Sequence, residues 1–328
     1  MSDGPAILVA GGAGFVGSHV CKALAAAGFR PVVYDDLSAG HEDAVRWGPL
    51  ERGDIRDGGR LAAVLAQHRP MAALHFAARI EAGESMRDPG AFYAVNVGGT
   101  LSLLQALREA GIGICVFSST AAVYGLPQSA TLAESHPLLP VNPYGATKLA
   151  AERMLADFAY AHGSRFVALR YFNAAGADPD GELGERHDPE THLIPLVLQA
   201  AAGQRPQIAV YGTDYPTPDG TCIRDYVHVS DLAAAHVLAL RHLLGGGDSA
   251  RLNLGNGSGF SVRQVIDAAR HVTGRAIPVQ EAARRAGDPP VLVADAAQSR
   301  AVLGWQPQRA ALETQIGDAW AWLRKTAG

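Results

Sequence analysis

The first forty residues alternate between apolar runs and breaks rich in glycine or charge. Residues 6–10 (AILVA) form a short, continuous apolar run, which is typical of a strand buried on both faces of a parallel sheet. A glycine-rich turn follows, and residues 18–27 have a helical pattern that ends at Gly28. Residues 31–34 (PVVY) predict a second strand, closed by two aspartates. The chain is therefore predicted to begin with a strand, a helix and a second strand.

The same alternation continues to about residue 174. Apolar runs predict strands at residues 71–76, 112–117 and 166–169, and longer patterns predict helices at residues 92–110 and 144–162. Alternating strands and helices favour a parallel sheet covered on both faces, and right-handed crossovers make that sheet doubly wound. We expect an α/β fold: a doubly wound parallel Rossmann sheet with a smaller C-terminal α/β substrate domain.

The pattern changes after residue 174, where polar segments rich in Gly and Pro occupy residues 178–191 and 211–220. Long ordered loops in compact domains are usually functional. Short helices are predicted at residues 193–202, 231–244, 261–273 and 311–325. We expect a cofactor domain of residues 1–174, to which residues 224–254 return, and a substrate domain of residues 175–223 and 255–328.

Composition excludes several classes of protein. The chain has 328 residues, 48% of them hydrophobic, and a formal charge of −4, which argues against disorder and against nucleic acid as a partner. Its apolar segments are too short to span a membrane, and we expect no signal peptide. Three widely separated cysteines predict reduced thiols in a cytoplasmic protein. The 12 histidines include His187 and His192, but no H-x-x-H or H-E-x-x-H spacing occurs, and we expect no metal.

Three glycines follow the first predicted strand, Gly11, Gly14 and Gly17, with the spacing G-x-x-G-x-x-G. Glycines in such a turn let main-chain N–H groups approach a pyrophosphate and let the helix pack on the strand. Asp35 ends the next strand, where a carboxylate bonds the adenosine ribose hydroxyls and repels a ribose 2′-phosphate. This unit predicts dinucleotide binding, with NAD favoured over NADP, and a plain glycine turn is the alternative.

Tyr144 and Lys148 stand four residues apart in a predicted helix, on one face and one turn apart. A free tyrosine has a pKa of about 10, too high for a base at neutral pH, and a nearby ammonium lowers it by favouring the phenolate. Ser118, Ser119 and Thr120 end an earlier strand and offer the hydroxyl neighbour that a tyrosine base needs. A surface helix pair is the alternative for Tyr144 and Lys148 alone. Together the features predict a proton-transfer site.

These motifs resemble those of the extended short-chain dehydrogenase/reductase family and, more closely, of its UDP-glucose 4-epimerase branch. The matching stretches run from residue 7 to about residue 305. The most specific of them are residues 211–229 (YGTDYPTPDGTCIRDYVHV) and 284–288 (RRAGD). They accompany residues 11–19 (GGAGFVGSH), 118–125 (SSTAAVYG), 142–148 (NPYGATK) and 170–173 (RYFN).

The resemblance implies an NAD-dependent homodimer that interconverts UDP-glucose and UDP-galactose through a 4-keto sugar. Tyr144 would be the base for the 4-hydroxyl, Lys148 would hold the nicotinamide ribose and depress the pKa of Tyr144, and Thr120 would bridge base and substrate. The implied cofactor-binding residues are Gly11, Gly14, Phe15, Val16, Gly17, Asp35, Asp36, Asp54, Ile55, Phe76, Ala77, Asn96, Ser118, Tyr144, Lys148 and Tyr171. The implied UDP-sugar-binding residues are Thr120, Tyr144, Asn173, His192, Leu193, Tyr211, Arg224, Arg285, Asp288 and Leu292.

The chain departs from the family pattern, or is intermediate within it, at three places. Ile80 stands where the family often has Lys, and Thr191-His192 stands where it often has two asparagines. Leu292 occupies the position that limits the size of the sugar 2-substituent. Because Leu is intermediate in size there, an N-acetylated sugar, a pentose or a uronate linked to UDP stays open as an alternative substrate.

Two other functions are compatible with such a fold. A 4,6-dehydratase would need an acid two residues after Thr120, where this chain has Ala122. A non-catalytic protein that binds a sugar nucleotide or NAD is the alternative from another class. The intact set of Thr120, Tyr144 and Lys148 argues against it, since binding alone does not require proton chemistry.

Overall fold

A computed structural model describes residues 4–129, 131–285 and 288–326 of the chain. Its centre is a seven-stranded parallel sheet in the order β11-β6-β5-β4-β1-β2-β3. The strands of this sheet are β1 (Ala6–Ala10), β2 (Arg30–Asp35), β3 (Leu50–Arg52), β4 (Ala72–His75), β5 (Ile114–Thr120), β6 (Arg165–Tyr171) and β11 (Ala250–Leu254).

The described helices surround and extend this sheet. They are α1 (Phe15–Ala26), α2 (Gly58–His68), α3 (Ala82–Ser85), α4 (Pro89–Phe92), α5 (Thr100–Glu109), α6 (Pro143–His162), α7 (Leu193–Ala201), α8 (Val229–Leu244), α9 (Val262–Thr273), α10 (Ala297–Leu303) and α11 (Leu312–Thr326). A π-helix spans Tyr93–Gly99, and short 3₁₀ turns span Glu42–Ala44 and Ala121–Val123.

Burial explains why the central strands read as continuous apolar runs. All five residues of β1 are buried, because helices cover the sheet on both faces. The chain order along the sheet reverses between β1 and β4, and β5 and β6 then extend the sheet away from β1. The predicted doubly wound Rossmann sheet is thus confirmed. Ligands of such sheets bind outside the carboxyl ends of the strands at this reversal.

The helix predicted at residues 92–110 is interrupted by the π-helix Tyr93–Gly99. Its wider turn presents Asn96, whose side chain is bonded to other elements, and such π-turns occur frequently at functional sites. Gly99 ends the turn against Ile55, where an added Cβ would lie 2.3 Å from the Ile55 Cγ2 atom. The apolar spacing of the sequence does not reveal this insertion, because a π-turn displaces the pattern by only one residue.

The second half of the chain adds small sheets and a separate apolar cluster. Its strands are β7 (Asn173–Ala175), β8 (Ile208–Tyr211), β9 (Ile223–Arg224), β10 (Tyr226–His228), β12 (Phe260–Ser261), β13 (Val279–Ala282) and β14 (Val291–Leu292). Apolar side chains of α7, α9 and α11 pack together with those of β8. Among the described residues no helix is long and apolar enough to cross a bilayer. All three cysteines are buried, free thiols.

Candidate active site

The glycine turn lies between β1 and α1, and its shape depends on two glycines. Gly11 has a φ of +79°, a left-handed conformation that favours glycine. A Cβ on Gly17 would lie 2.2 Å from the Gly11 carbonyl oxygen, so a larger residue would push the helix off the turn. An added Cβ on Gly14 would meet only that same oxygen, at 3.5 Å. The turn is therefore tight behind Gly11 and Gly17 and open at Gly14.

Helix α1 begins at this open side of the turn. Gly14 is its N-cap, no side chain caps the helix, and no acidic residue lies in its first turn. The first N–H groups of a helix lack partners within the helix and carry partial positive charge, which suits a phosphate group. Phe15 and Val16 occupy this first turn. The residues present thus fit the pyrophosphate of a dinucleotide.

Asp35 closes the turn from the end of β2. Its Oδ2 atom accepts a hydrogen bond from the Ala13 N–H at 2.9 Å, and its Oδ1 atom accepts one from the Leu37 N–H at 2.9 Å. Burial raises the pKa of Asp35, and the two N–H groups partly offset that rise. Asp36 is exposed beside it. A carboxylate at this place fits a ribose diol and disfavours a 2′-phosphate, as in NAD.

The remaining predicted cofactor positions line the same edge of the sheet. The main-chain N–H groups of Phe76 and Ala77 both reach the Ala10 carbonyl oxygen, at 2.7 and 3.0 Å, which brings the segment after β4 against the turn. Ile55 is buried in the apolar layer below. Asp54 pairs with Arg56, and this ion pair holds the pKa of Asp54 below its usual range.

Tyr144 lies in the first turn of α6, where Asn142 caps the helix by accepting a hydrogen bond from the Gly145 N–H at 2.8 Å. Burial is the main influence on Tyr144 and raises its pKa above the usual value. Nearby Tyr171 and Glu81 add to this rise, and a hydrogen bond with the Thr120 side chain lowers the pKa. The structure thus brings together the predicted base and its hydroxyl neighbour at the end of β5.

Lys148 is fully surrounded one turn further along α6. Its Nζ atom donates a hydrogen bond to the Ser118 carbonyl oxygen at 2.8 Å and lies 4.8 Å from the centre of the Phe117 ring. Burial lowers the pKa of Lys148 to about 7, against a smaller opposing effect of Glu152. The sequence argument expects Lys148 to depress the pKa of Tyr144. In the structure burial opposes that effect, because desolvation disfavours the charged form of each side chain.

Tyr171 ends β6 beside Tyr144. Its hydroxyl lies 2.5 Å from the Ser118 Oγ atom, and burial raises its pKa to about 12. Its ring meets His236 of α8 edge-on at 6.2 Å, and His236 in turn lies 4.8 Å from the Phe76 ring. These contacts place Tyr171 between the predicted cofactor residues and α8.

Asn96 links three elements around the site. Its Oδ1 atom accepts a hydrogen bond from the Arg79 N–H at 2.8 Å, and its Nδ2 atom donates to the Arg79 carbonyl at 3.0 Å and to Thr147 Oγ1 at 3.0 Å. The amide is buried and saturated by the protein. Asn96 therefore positions the loop after β4 against α6, next to Tyr144 and Lys148.

A buried polar network lies behind the predicted catalytic residues. Arg170 and Glu152 form an ion pair with N···O distances of 2.9 and 2.5 Å, and Ser119 donates to the same carboxylate at 2.5 Å. Arg170 also donates to the Tyr124 hydroxyl at 3.1 Å, which itself donates to Asn253 at 2.6 Å. Sequence reasoning missed this network. Its signal is a charged or amide residue inside an apolar strand, as in residues 166–171 and 252–254.

Three predicted substrate residues meet at one small sheet. Arg224 of β9 lies in register with Leu292 of β14. The Arg224 guanidinium donates to the carbonyl oxygens of Ile223 and Pro289, at 2.8 and 2.9 Å, and to Asp288 at 3.0 Å. Leu292 packs on the apolar cluster that contains Val123, which belongs to the 3₁₀ turn directly after Thr120. The substrate positions are thereby tied to the end of β5.

Other predicted substrate residues occupy neighbouring loops. The Arg285 guanidinium stacks over the Tyr211 ring at 4.0 Å, which places a cation and an aromatic face together. Asn173 lies in β7, and its N–H donates to the Asp225 carbonyl at 3.0 Å. Ala286 and Gly287 of the predicted RRAGD motif lie outside the described residues.

His192 and Leu193 mark the start of α7, where His192 is the N-cap residue. The ring of His192 contacts Glu185 through its Nδ1 atom. Burial lowers the pKa of His192, and the contact with Glu185 more than offsets this, so the net shift is upward. The side chain of His192 is thus already engaged by a residue that sequence reasoning did not single out.

A model of the NAD dependent epimerase/dehydratase family matches residues 7–255. A UDP-glucose 4-epimerase from Rhizobium leguminosarum bv. trifolii is 55% identical over 98% of this chain and 98% of its own length. Another, from Rhizobium meliloti (strain 1021), is 56% identical over 96% of both chains. The crystal structure of UDP-glucose 4-epimerase from Brucella ovis in complex with NAD is 54% identical, covers 97% of this chain and 98% of its own, and superposes with a TM-score of 0.95.

Proposed function

Since the chain belongs to the NAD dependent epimerase/dehydratase family, within its UDP-glucose 4-epimerase branch, we propose that Tyr144, Thr120 and Lys148 carry its chemistry. The protein is an isomerase that interconverts UDP-glucose and UDP-galactose with NAD as cofactor. The observation that best supports the residue roles is the proximity of the Tyr144 hydroxyl to the Thr120 side chain, which opposes the rise in the pKa of Tyr144, one helical turn from buried Lys148.

Tyr144 accepts the proton of the sugar 4-hydroxyl and returns it to the same oxygen after the sugar has turned over. When bound, NAD would supply the hydride acceptor and donor for carbon 4 of the sugar. Thr120 relays the hydrogen bond between the base and the sugar oxygen. Lys148 holds the nicotinamide ribose and adds positive charge behind the base, which favours the phenolate. The glycine turn and the first turn of α1 hold the pyrophosphate.

The UDP group binds away from the reacting carbon. Arg224 and Arg285 are planar forked donors suited to a diphosphate, and the Tyr211 ring offers a stacking face beside Arg285. Asp288, paired with Arg224, holds a ribose hydroxyl. Binding energy from the nucleotide then anchors the substrate while its sugar stays free to rotate.

We also propose the division of the chain that the sequence predicts. Residues 1–174 and 224–254 form the cofactor unit, supported by the pairing of β11 with β6 in the central sheet. Residues 175–223 and 255–328 form the substrate unit, supported by the separate apolar cluster of α7, α9, α11 and β8.

The assembly and cellular location follow as further proposals. A homodimer through residues 92–110 and α6 is supported by partly exposed apolar side chains, including Tyr93 and Leu101. Sedimentation of the purified chain at monomer mass at all concentrations would contradict it.

Three buried free thiols support a location in the reducing cytoplasm.

The substrate assignment is tested by assaying the purified chain on UDP-galactose, UDP-N-acetylgalactosamine, UDP-xylose and UDP-glucuronate side by side. We expect the highest kcat/KM with UDP-galactose, and no turnover of any of the four would contradict the proposal.

Replacing Leu292 by Tyr should lower the N-acetyl sugar's kcat/KM relative to that of UDP-galactose, and Leu292→Ala should raise it. If both variants have the same ratio of kcat/KM for the N-acetyl sugar to kcat/KM for UDP-galactose, Leu292 does not select the substrate.

A further inference from the structure

Four potential metal ligands converge in the loop before α7: Glu185, His187, Glu190 and His192. One ligand atom from each side chain lies within 4.8 Å of the ligand atoms of the other three. The Nδ1 atom of His187 is 3.0 Å from Glu185 Oε1 and 3.8 Å from Glu190 Oε1. The Nδ1 atom of His192 contacts Glu185 Oε1 and lies 3.8 Å from Glu190 Oε1. We propose that these four side chains bind one divalent transition-metal ion, with Zn²⁺ as the best fit.

The geometry suits a tetrahedral ion. Zinc takes imidazole nitrogen and carboxylate oxygen at about 2.0–2.2 Å, so its ligand atoms lie about 3.3–3.6 Å from one another. Three of the four His–Glu distances, at 3.0, 3.8 and 3.8 Å, bracket this value. The fourth pair, His192 Nδ1 and Glu185 Oε1, is in closer contact, and these two atoms must move apart to bind one ion. Two imidazoles with two carboxylates also form a donor set that favours a borderline-soft ion over Ca²⁺ or Mg²⁺, which prefer all-oxygen sites.

Burial and charge give independent support. The side chains of Glu185 and Glu190 are only 5% and 7% exposed, and buried carboxylates require a positive partner. The adjacent Arg186 does not supply it, because its guanidinium pairs with Asp43 at 2.6 Å. Two neutral imidazoles, two carboxylates and Zn²⁺ sum to zero charge.

A nearby cluster of carboxylates shows the contrast. Asp178, Asp180 and Glu182 also converge, but the Lys22 ammonium lies among them at 2.7–2.8 Å from each. That cluster already contains its cation. The cluster of Glu185, His187, Glu190 and His192 receives no Lys or Arg in any ion pair of the described chain.

Each imidazole must be deprotonated to bind the ion, so Zn²⁺ binding releases any proton that a ring carries, and no other group changes its covalent state.

The position of the site gives the ion a structural task. Residues 176–192 form a long segment without helix or strand, and such segments in compact proteins need other constraints. His187 meets the Phe15 ring of α1 edge-on at 6.5 Å, and His192 is the N-cap of α7. The ion would fix the loop between the cofactor helix and the substrate unit. This inference does not depend on the proposed catalytic roles.

The test measures metal content of the full chain, purified without a polyhistidine tag and dialysed against zinc and then against chelator-free buffer. We expect about one Zn²⁺ per chain, a lower Tm after EDTA, recovery of the Tm with added Zn²⁺, and d–d bands of a tetrahedral ion after Co²⁺ loading. Less than about a tenth of an equivalent, with a Tm unchanged by EDTA, would show a cluster of ion pairs only and overturn the proposal.

Two variants locate the ion. Glu185→Gln and His187→Gln should each lower the zinc content at least about tenfold, whereas Asp180→Asn, in the neighbouring cluster, should leave it unchanged. Zinc retained at the wild-type level in both ligand variants would place the metal elsewhere and overturn the assignment. If a variant fails to fold, the response of the wild-type chain to EDTA and Co²⁺ decides the question.

Discussion

The Nζ atom of Lys148 lies 2.8 Å from the main-chain carbonyl oxygen of Ser118, so the lysine of the Tyr-x-x-x-Lys pair is anchored to the strand that carries Thr120. This bond fixes α6 against β5 at the depth of the proposed base. It also holds the amine in an apolar environment, where burial lowers the pKa of Lys148 to about 7. The hydrogen bond gives the lysine a positional task, and its charged form has the electrostatic task that we propose for it.

Replacing Lys148 by Met removes the charge and the hydrogen bond but keeps a long side chain, so the variant tests those two roles apart from packing. Loss of the Lys148 charge removes an effect that opposes burial, so the pKa of Tyr144 should rise. The ascending limb of the kcat profile, which reports formation of the phenolate, should then move to higher pH, and kcat should fall about 100-fold at neutral pH. The measurement is a pH profile of kcat with UDP-galactose. Lys325→Met is the control, because Lys325 also donates to a carbonyl oxygen, that of Gly181 at 2.6 Å, but on the surface. An unshifted profile with Lys148→Met would contradict the electrostatic role.

The buried ion pair of Arg170 and Glu152 should dominate the stability of the region behind the site. Glu152→Gln leaves the Arg170 charge uncompensated in the interior, and we expect a loss of about 3–5 kcal/mol in the free energy of unfolding. Glu281→Gln is the matched control, since it breaks an exposed pair with Arg263 at 2.8 Å and should cost less than about 1 kcal/mol. Urea unfolding at pH 7 measures both. Equal losses of unfolding free energy in the two variants would show that burial adds nothing to the contribution of the Arg170–Glu152 pair.

Acid should destabilise the fold through His236, whose pKa burial lowers from 6.5 to about 4. The unfolded chain binds the proton first, so the stability contribution is complete above pH 6.5 and is lost as the pH falls toward 4. Between pH 7 and pH 5 this one ring should cost about 2 kcal/mol. His236→Leu should lose correspondingly less stability over that interval in urea titrations. The same loss in variant and wild type would contradict the assignment.

The first βαβ unit illustrates what the sequence can predict. The apolar run before Gly11, the glycine spacing and the acid at Asp35 are local features, so the turn and its ligand class follow from neighbouring residues. The structure adds that both Asp35 oxygens hold main-chain N–H groups. The turn is thus fixed by the same carboxylate that we propose for the ribose.

Other parts depend on contacts between residues far apart in sequence. The π-helix presents Asn96 because Arg79 and Thr147 saturate its amide, and no periodic pattern records those bonds. His187 and His192 lack any recognised metal spacing, and only the folded loop brings them together with Glu185. The pKa of Tyr144 likewise depends on burial, which a spacing of four residues cannot reveal.

We expect the Tyr144 hydroxyl to transfer the proton of the sugar 4-hydroxyl. The kcat of Tyr144→Phe with UDP-galactose tests this transfer, alongside the Tm and NAD content of the same preparation. Removing a general base typically costs about 10²–10⁴-fold, so we expect a fall in kcat of that size with an unchanged Tm and retained NAD. Turnover of UDP-galactose by Tyr144→Phe at the wild-type rate would contradict the account.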